Sequence, residues 1–321
     1  MKKVLITGGA GFIGSYLSNR LVKQNYSVDV VDNQLRGDYT RLDKRVKIYN
    51  IDLTKPEELS QLPKNYDWIF HLAAVNGTDN FYKIQSKVFE VGVKSCLNIY
   101  DYFKHSQSSI IVASSAEVYQ TPTIVPTDES APLVVPDVKN ARYSYGGSKI
   151  FSELLVMNYG LDFFEKAIIF RPHNIYGPNM GFKHVVPQLI NKLKNSKDNN
   201  INSIELIGSG SETRAFCYVD DLVDGLLILM KKGKDKEIYH IGNDYELSIY
   251  ELAKKMTKLI DKTIQVKKGA QSHVGGTMRR CPDISKMREI GYKPKISIDI
   301  GLEKSVEWYL NNTNTSKNEL L

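Results

Sequence analysis

Thr7-Gly8-Gly9-Ala10-Gly11-Phe12-Ile13-Gly14 constrains this chain more than any other segment. An apolar stretch, Val4 to Thr7, precedes it and reads as a strand. The stretch Phe12 to Gln24 follows and reads as a helix. Glycines at 8, 11 and 14 permit a tight strand-to-helix turn and let the backbone approach a pyrophosphate, whose charge the helix N–H groups and dipole stabilise. A second strand-like run, Ser27 to Asp32, ends in a carboxylate about 20 residues beyond the glycines, the position that accepts hydrogen bonds from an adenosine ribose. A carboxylate there repels a 2′-phosphate, so NAD is expected rather than NADP. Arg36 is the opposing signal, because an arginine nearby could accept that phosphate.

Further apolar runs recur between helical patterns. Val46–Tyr49, Trp68–Ala74, Ser109–Ser114 and Lys166–Phe170 read as strands. Helices are expected around Phe81 to Phe103 and Gly146 to Phe163. Near-continuous apolar strands alternating with helices predict an α/β fold, a doubly wound, Rossmann-like parallel sheet covered on both faces. Ligands of such a sheet collect beyond the carboxyl ends of the strands. After Arg171 the segments shorten. A helix near Tyr218 to Lys231, a strand Glu237 to Gly242 and a helix from Ile249 to Leu259 are expected. The division predicted is a dinucleotide-binding domain over 1–170 with a returning segment near 215–242, a smaller, partly interleaved substrate-binding lobe over 171–310, and a polar tail over 311–321.

Composition narrows the class. The chain has 321 residues, 42% of them hydrophobic and 25% charged, so it is neither disordered nor fibrous. No apolar run approaches the roughly 18 residues of a membrane span, and no secretory leader is evident. Lys+Arg 43 against Asp+Glu 36 gives +7. Without a compact basic run interleaved with aromatics, that excess reads as a solvated surface, so neither nucleic acid nor membrane is an expected partner. Cys96, Cys217 and Cys281 are too far apart for a disulfide framework or a metal site, and a reducing, cytoplasmic location follows. His184 and His273 read as polar lining or surface; no metal ligand set is expected.

Arg142-Tyr143-Ser144-Tyr145-Gly146-Gly147-Ser148-Lys149 carries the chemistry. Tyr145 and Lys149 are four apart and share a helix face. A free phenol ionises near pH 10 and is a poor base at neutrality. A neighbouring ammonium and a positive nicotinamide ring favour the phenolate, which could then take a proton from a sugar hydroxyl. In Ser114-Ser115-Ala116-Glu117-Val118-Tyr119, Ser115 stands at the carboxyl end of the fifth strand and could hold that hydroxyl.

On these segments the chain resembles an extended short-chain dehydrogenase/reductase of the nucleotide-sugar epimerase/dehydratase family, over about residues 1 to 305. Asp52-Leu53, Leu72-Ala73-Ala74, Arg171-Pro172-His173-Asn174, Thr213-Arg214 and Arg279-Arg280-Cys281-Pro282-Asp283 are its further marks. The resemblance implies NAD held by Gly8, Gly11, Phe12, Ile13, Gly14, Asp32, Asn33, Asp52, Leu53, Leu72, Ala73, Ala74, Tyr145, Lys149 and Pro172. It implies catalysis by Ser115, Tyr145, Lys149 and Glu117. It implies a nucleotide-diphosphate sugar met by Ser115, Asn174, Arg214 and Arg280, and a homodimer built through two helices. Gly92 departs from the asparagine usual there, which puts one local hydrogen bond in question.

A 4-epimerase acting through a transient 4-keto sugar is the expectation. Where the family's dehydratases have Thr-Asp-Glu, this chain has Ser115-Ala116-Glu117, and Ala116 cannot expel water as an acid. Glu117 and Arg280 match the family's decarboxylases, which keeps decarboxylation open. A keto-sugar reductase and a non-catalytic dinucleotide sensor complete the alternatives.

Overall fold

The computed structural model describes residues 1–270 and 277–312. Seven strands form one all-parallel sheet. They are β1 (Lys3–Thr7), β2 (Ser27–Val31), β3 (Lys47–Tyr49), β4 (Trp68–His71), β5 (Ser109–Ala113), β6 (Lys166–Pro172) and the strand Ile238–Ile241. Their spatial order is Ile238–Ile241, β6, β5, β4, β1, β2, β3, and every neighbouring pair is parallel. The chain order therefore reverses between β1 and β4, which opens a crevice at the strand carboxyl ends.

The strand interiors explain this arrangement. Leu5, Ile6, Ile69, Phe70, Ile110, Ile111, Ile168 and Ile169 are all fully buried. A sheet apolar on both faces needs helices on both faces. On one side α1 (Phe12–Lys23) and α6 (Val219–Lys232) bury Leu17, Leu21, Leu222 and Leu226. On the other, α3 (Gln85–Phe103) buries Cys96, Ile99 and Phe103, and α4 (Ser144–Asn158) buries Leu155 and Val156. A further apolar cluster gathers residues from Tyr176 onward, among them those of α5 (Val185–Asp198) and the helices Ile249–Ile260 and Ile298–Asn311.

Three expectations are corrected. The helix foreseen from Phe81 to Phe103 is two helices, α2 (Thr78–Lys83) and α3, separated at Ile84, whose φ is −137°. The helix near Gly146 to Phe163 ends at Asn158, with Tyr159 extended. Asn311, placed in a polar tail, closes the last helix; the tail beyond Asn312, like His273, lies outside the described residues.

Gly92 acquires a reason. A Cβ built there would lie 2.6 Å from Ser148 Cβ. The glycine lets α3 approach α4 at Ser148, whose hydroxyl donates to Tyr145 O at 2.8 Å. An asparagine would push away the helix that carries Tyr145.

Candidate active site

A cavity of about 420 Å³ occupies the crevice at the switch point, within the usual range for small-molecule sites. The glycine turn forms its floor. Gly8 has φ +66°, and a Cβ there would meet Ala73 Cα at 2.8 Å. A Cβ at Gly14 would lie 2.6 Å from Gly9 Cα. Gly11 starts α1 without any side-chain cap, so the first N–H groups of that twelve-residue helix face the cavity with no intrahelical acceptor. This cradle fits a pyrophosphate.

Asp32, just past β2, is buried. Its carboxylate accepts from Gln34 N at 2.8 Å and from Ala10 N at 3.1 Å. Burial pushes its pKa up, against those two bonds and the charge of Arg41. A Cβ on Gly37 would stand 2.5 Å from Asp32 Oδ1, so the glycine keeps that carboxylate open. Asp52 accepts from Thr54 N and Oγ1 at 3.0 and 2.8 Å.

The sequence-based assignment can be compared with the walls. Gly8, Gly11, Phe12, Ile13, Gly14, Asp32 and Asn33 line the cavity. Asp52, Leu53, Leu72, Ala73, Ala74 and Pro172 also line it. Ser115, Glu117, Tyr145, Lys149, Asn174 and Arg280 border the same space, as does His184, foreseen as polar lining. Arg214 is the exception. Its guanidinium turns to backbone carbonyls, donating to Thr213 O at 2.7 Å and Thr277 O at 2.8 Å. Burial and the charge of Arg280 bring its pKa down to about 10.

Tyr145 and Lys149 share a face of α4, with the ammonium over the ring of the phenol and its hydrogen bond made elsewhere. Lys149 Nζ donates to Ala113 O at 2.8 Å and lies 5.8 Å from the Tyr145 ring centre. Burial lowers the lysine pKa to about 8. Burial raises the phenol to about 12, while Glu117 adds to that rise and a hydrogen bond with Ser115 and the charge of Arg36 oppose it. Among the chain's own groups, burial outweighs the contacts that oppose it.

Glu117 is ionised. Burial pushes its pKa up, but Arg280, Arg142 and Arg214 outweigh burial and hold it below the ordinary value. Arg280 Nη1 reaches Glu117 Oε1 at 2.6 Å, and Arg142 Nη2 lies 4.0 Å from Oε2. Two guanidinium groups thus flank one carboxylate, and the charge of Arg214 reaches it from farther off, leaving an excess of positive charge.

Sequence reasoning missed several groups. Arg36, weighed from the sequence only as a residue that could accept a 2′-phosphate, donates through Nη1 to Asn76 O at 2.5 Å. Phe81 stacks on Tyr145, ring centres 5.2 Å apart and planes 12° from parallel. Behind Ser115, Glu153 binds Arg171 through two contacts of 2.8 and 2.6 Å and accepts from Ser114 Oγ. Lys149 and Glu153 at four-residue spacing was the available signal. The Phe81 contact joins residues 64 apart and had none.

The model of the NAD dependent epimerase/dehydratase family matches residues 4–242. This chain belongs to that family. NAD is the family's cofactor, and the glycine cradle and Asp32 fit it. Within the family, the chain is 29% identical over 320 residues to a UDP-N-acetyl-alpha-D-glucosaminuronate decarboxylase of Bacillus cytotoxicus, covering 96% of this chain and 98% of that one. It is 32% identical over 321 residues to UDP-glucuronic acid decarboxylase 3 of Arabidopsis thaliana, covering 98% and 91%. Among solved structures, dTDP-glucose 4,6-dehydratase from Streptomyces venezuelae, solved with NAD and TYD bound, shares 27% identity at a TM-score of 0.84, covering 97% of each chain. The chain is an enzyme of this family. Among the described residues no helix is long and apolar enough to cross a membrane.

Proposed function

We propose that this chain acts on a nucleoside-diphosphate sugar through a transient 4-keto sugar, and that the sugar is a uronic acid that loses its carboxyl group. The ion pair of Glu117 with Arg280 in the cavity wall carries the reading. An excess of guanidinium charge beside Ser115 and Tyr145 suits a sugar with an anionic group of its own, because planar forks pair with carboxylate or phosphate oxygens. The decarboxylase relatives support it.

Bound NAD supplies reversible hydride exchange at the sugar carbon. Gly8, Gly11, Gly14, Asp32, Asn33, Asp52 and Leu53 would hold it, with Leu72, Ala73, Ala74 and Pro172 along the groove. Tyr145 takes the proton of the sugar's 4-hydroxyl and Ser115 orients that hydroxyl. Lys149 fixes the ribose side of the site. In the 4-keto acid the bond to the carboxyl carbon breaks. Its electron pair moves to the C4 oxygen, where Tyr145 and Ser115 donate hydrogen bonds, and carbon dioxide departs; the carbon it leaves then takes up a proton, and C4 regains the hydride it gave up while Tyr145 returns the proton to its oxygen. Asn174 and Arg280 meet the remainder of the substrate. Arg214 would act from behind, through its field on Glu117 and Arg280.

4-Epimerisation, the expectation from sequence, is the second reading. In its favour, Arg280 is already neutralised by Glu117, and Ala116 brings no hydroxyl to a leaving carboxylate. Incubation with UDP-, GDP-, CDP- and dTDP-linked uronic acids and neutral sugars, read by product mass, separates these. Loss of carbon dioxide is expected. Isomer at constant mass would instead establish the epimerase. Loss of water means dehydration, net NADH consumption a reductase, and no product a sensor.

The division into a dinucleotide domain and an interleaved substrate lobe is part of the proposal, as is a reducing, cytoplasmic setting, with all three cysteines buried and free. So is a homodimer through α3 and α4, whose Phe89 and Leu154 are 49% and 58% exposed. Sedimentation should give a dimer, and Leu154→Glu a monomer.

A further inference from the structure

Phe81 and Arg36 are absorbed by none of the roles above. Both line the cavity that holds Tyr145, and a short chain of contacts joins them. Asn76 is the link. Its carbonyl accepts from Arg36 Nη1 at 2.5 Å and from Asn80 Nδ2 at 3.0 Å, and its side-chain oxygen accepts from Gly77 N at 2.7 Å. Gly77 has φ +120°, a conformation that costs a glycine little and other residues much. From this turn α2 begins, and Phe81 N donates to Gly77 O at 3.3 Å. The turn thus delivers the Phe81 ring onto the face of the Tyr145 ring, in a small apolar cluster with Val75 and Val88.

We propose that Arg36 is a positioning residue for Tyr145: it anchors the turn that bears Phe81 and supplies positive charge to the cavity face of the phenol. The inference rests on the reading of Tyr145 as the proton-transfer residue and adds to it a group outside the Ser115, Tyr145 and Lys149 set.

The surroundings of Tyr145 favour it. Lys149, on the same helix, is committed to Ala113 O. Glu117, on the loop after β5, opposes ionisation, and its own charge is balanced by Arg280 and Arg142. His184, across the cavity, is held neutral by burial and by Arg36, at a pKa of about 4. Arg36 lines the same cavity as the phenol and opposes its rise in pKa, beside Lys149, whose Nζ lies 5.8 Å from the ring centre, and the same field reaches His184.

The test replaces Tyr145 with 3,5-difluorotyrosine, whose more acidic phenol titrates within the range a fold tolerates. Fluorine NMR then follows its ionisation in the NAD-loaded protein without nucleotide sugar. Arg36→Met is expected to raise the midpoint by about one pH unit, a tenfold loss of phenolate at a given pH. Arg36→Lys, which keeps the charge, should restore most of the shift, an outcome a merely structural role would not give. An unchanged midpoint in Arg36→Met would overturn the proposal, as would an equal shift in both variants. Because no sugar is present, the readout stands apart from the reaction: a shift with no decarboxylation keeps this inference and sinks the functional reading, and the converse does the reverse.

Discussion

Lys149 Nζ is hydrogen-bonded to Ala113 O at 2.8 Å and stands 5.8 Å from the centre of the Tyr145 ring. The ammonium thus sits over the ring of the phenol while its hydrogen bond goes to the strand. The lysine is buried, and its charge is held by the Ala113 carbonyl, the Tyr145 ring and the field of Glu153.

This arrangement predicts a stability cost. The folded pKa of Lys149 is about 8, against an unfolded value of 10.5. Between those values the unfolded chain binds more protons, so stability rises with pH across that window; below pH 8 the full cost is present. In NAD-free protein, Lys149→Met should be more stable at pH 7 by about 1–3 kcal/mol, with the advantage shrinking toward pH 10. Urea midpoints at pH 7 and 9.5 measure it. A variant less stable by the same amount at both pH values would contradict the prediction.

Three buried histidines predict acid sensitivity. Burial depresses His71 and His240 to about 3 and His173 well below its ordinary value. His240 sits between Tyr119 OH at 2.6 Å and Asp283 O at 3.0 Å. Each imidazole is neutral when folded and protonates near pH 6.5 when unfolded. Their contribution is complete above that pH and is lost as pH falls toward 3. The loss should approach roughly 4 kcal/mol per pH unit for the three together. Denaturant midpoints at pH 7.5 and 5.5 should differ accordingly, and because His184 is depressed as well, His240→Gln should flatten the slope by about a quarter. Equal midpoints would refute it.

Much of this was legible in the sequence because it is local. The glycine turn and Asp32 are set by spacing along a strand–turn–helix, so their place on the cavity floor followed directly. The seven strands were legible from their apolar runs, Ile238–Ile241 included. What escaped depends on tertiary geometry. The break at Ile84 is invisible to a periodicity that continues through it. The direction of Arg214 is decided by carbonyls at Thr213 and Thr277, and that of Arg36 by Asn76. Gly92 looked like a departure until Ser148 was seen to occupy the space.

Gly37 offers a test of the cofactor site that leaves the chemistry untouched. A methyl group there would press on Asp32 Oδ1 at 2.5 Å. Gly37→Ala should weaken NAD binding about tenfold, or about 1.4 kcal/mol, with little change in the thermal midpoint of the NAD-free protein. Calorimetric titration reads the first and differential scanning the second. Undiminished affinity would mean that the Asp32 carboxylate is not a cofactor contact.

Tyr145→Phe tests the central claim most directly, because it removes one oxygen and keeps the ring that Phe81 covers. Turnover of the nucleotide sugar, measured by product mass alongside the NAD content of the same sample, should fall about 10³-fold while NAD remains bound. Turnover at the unsubstituted rate with full NAD content would take the phenol out of the mechanism.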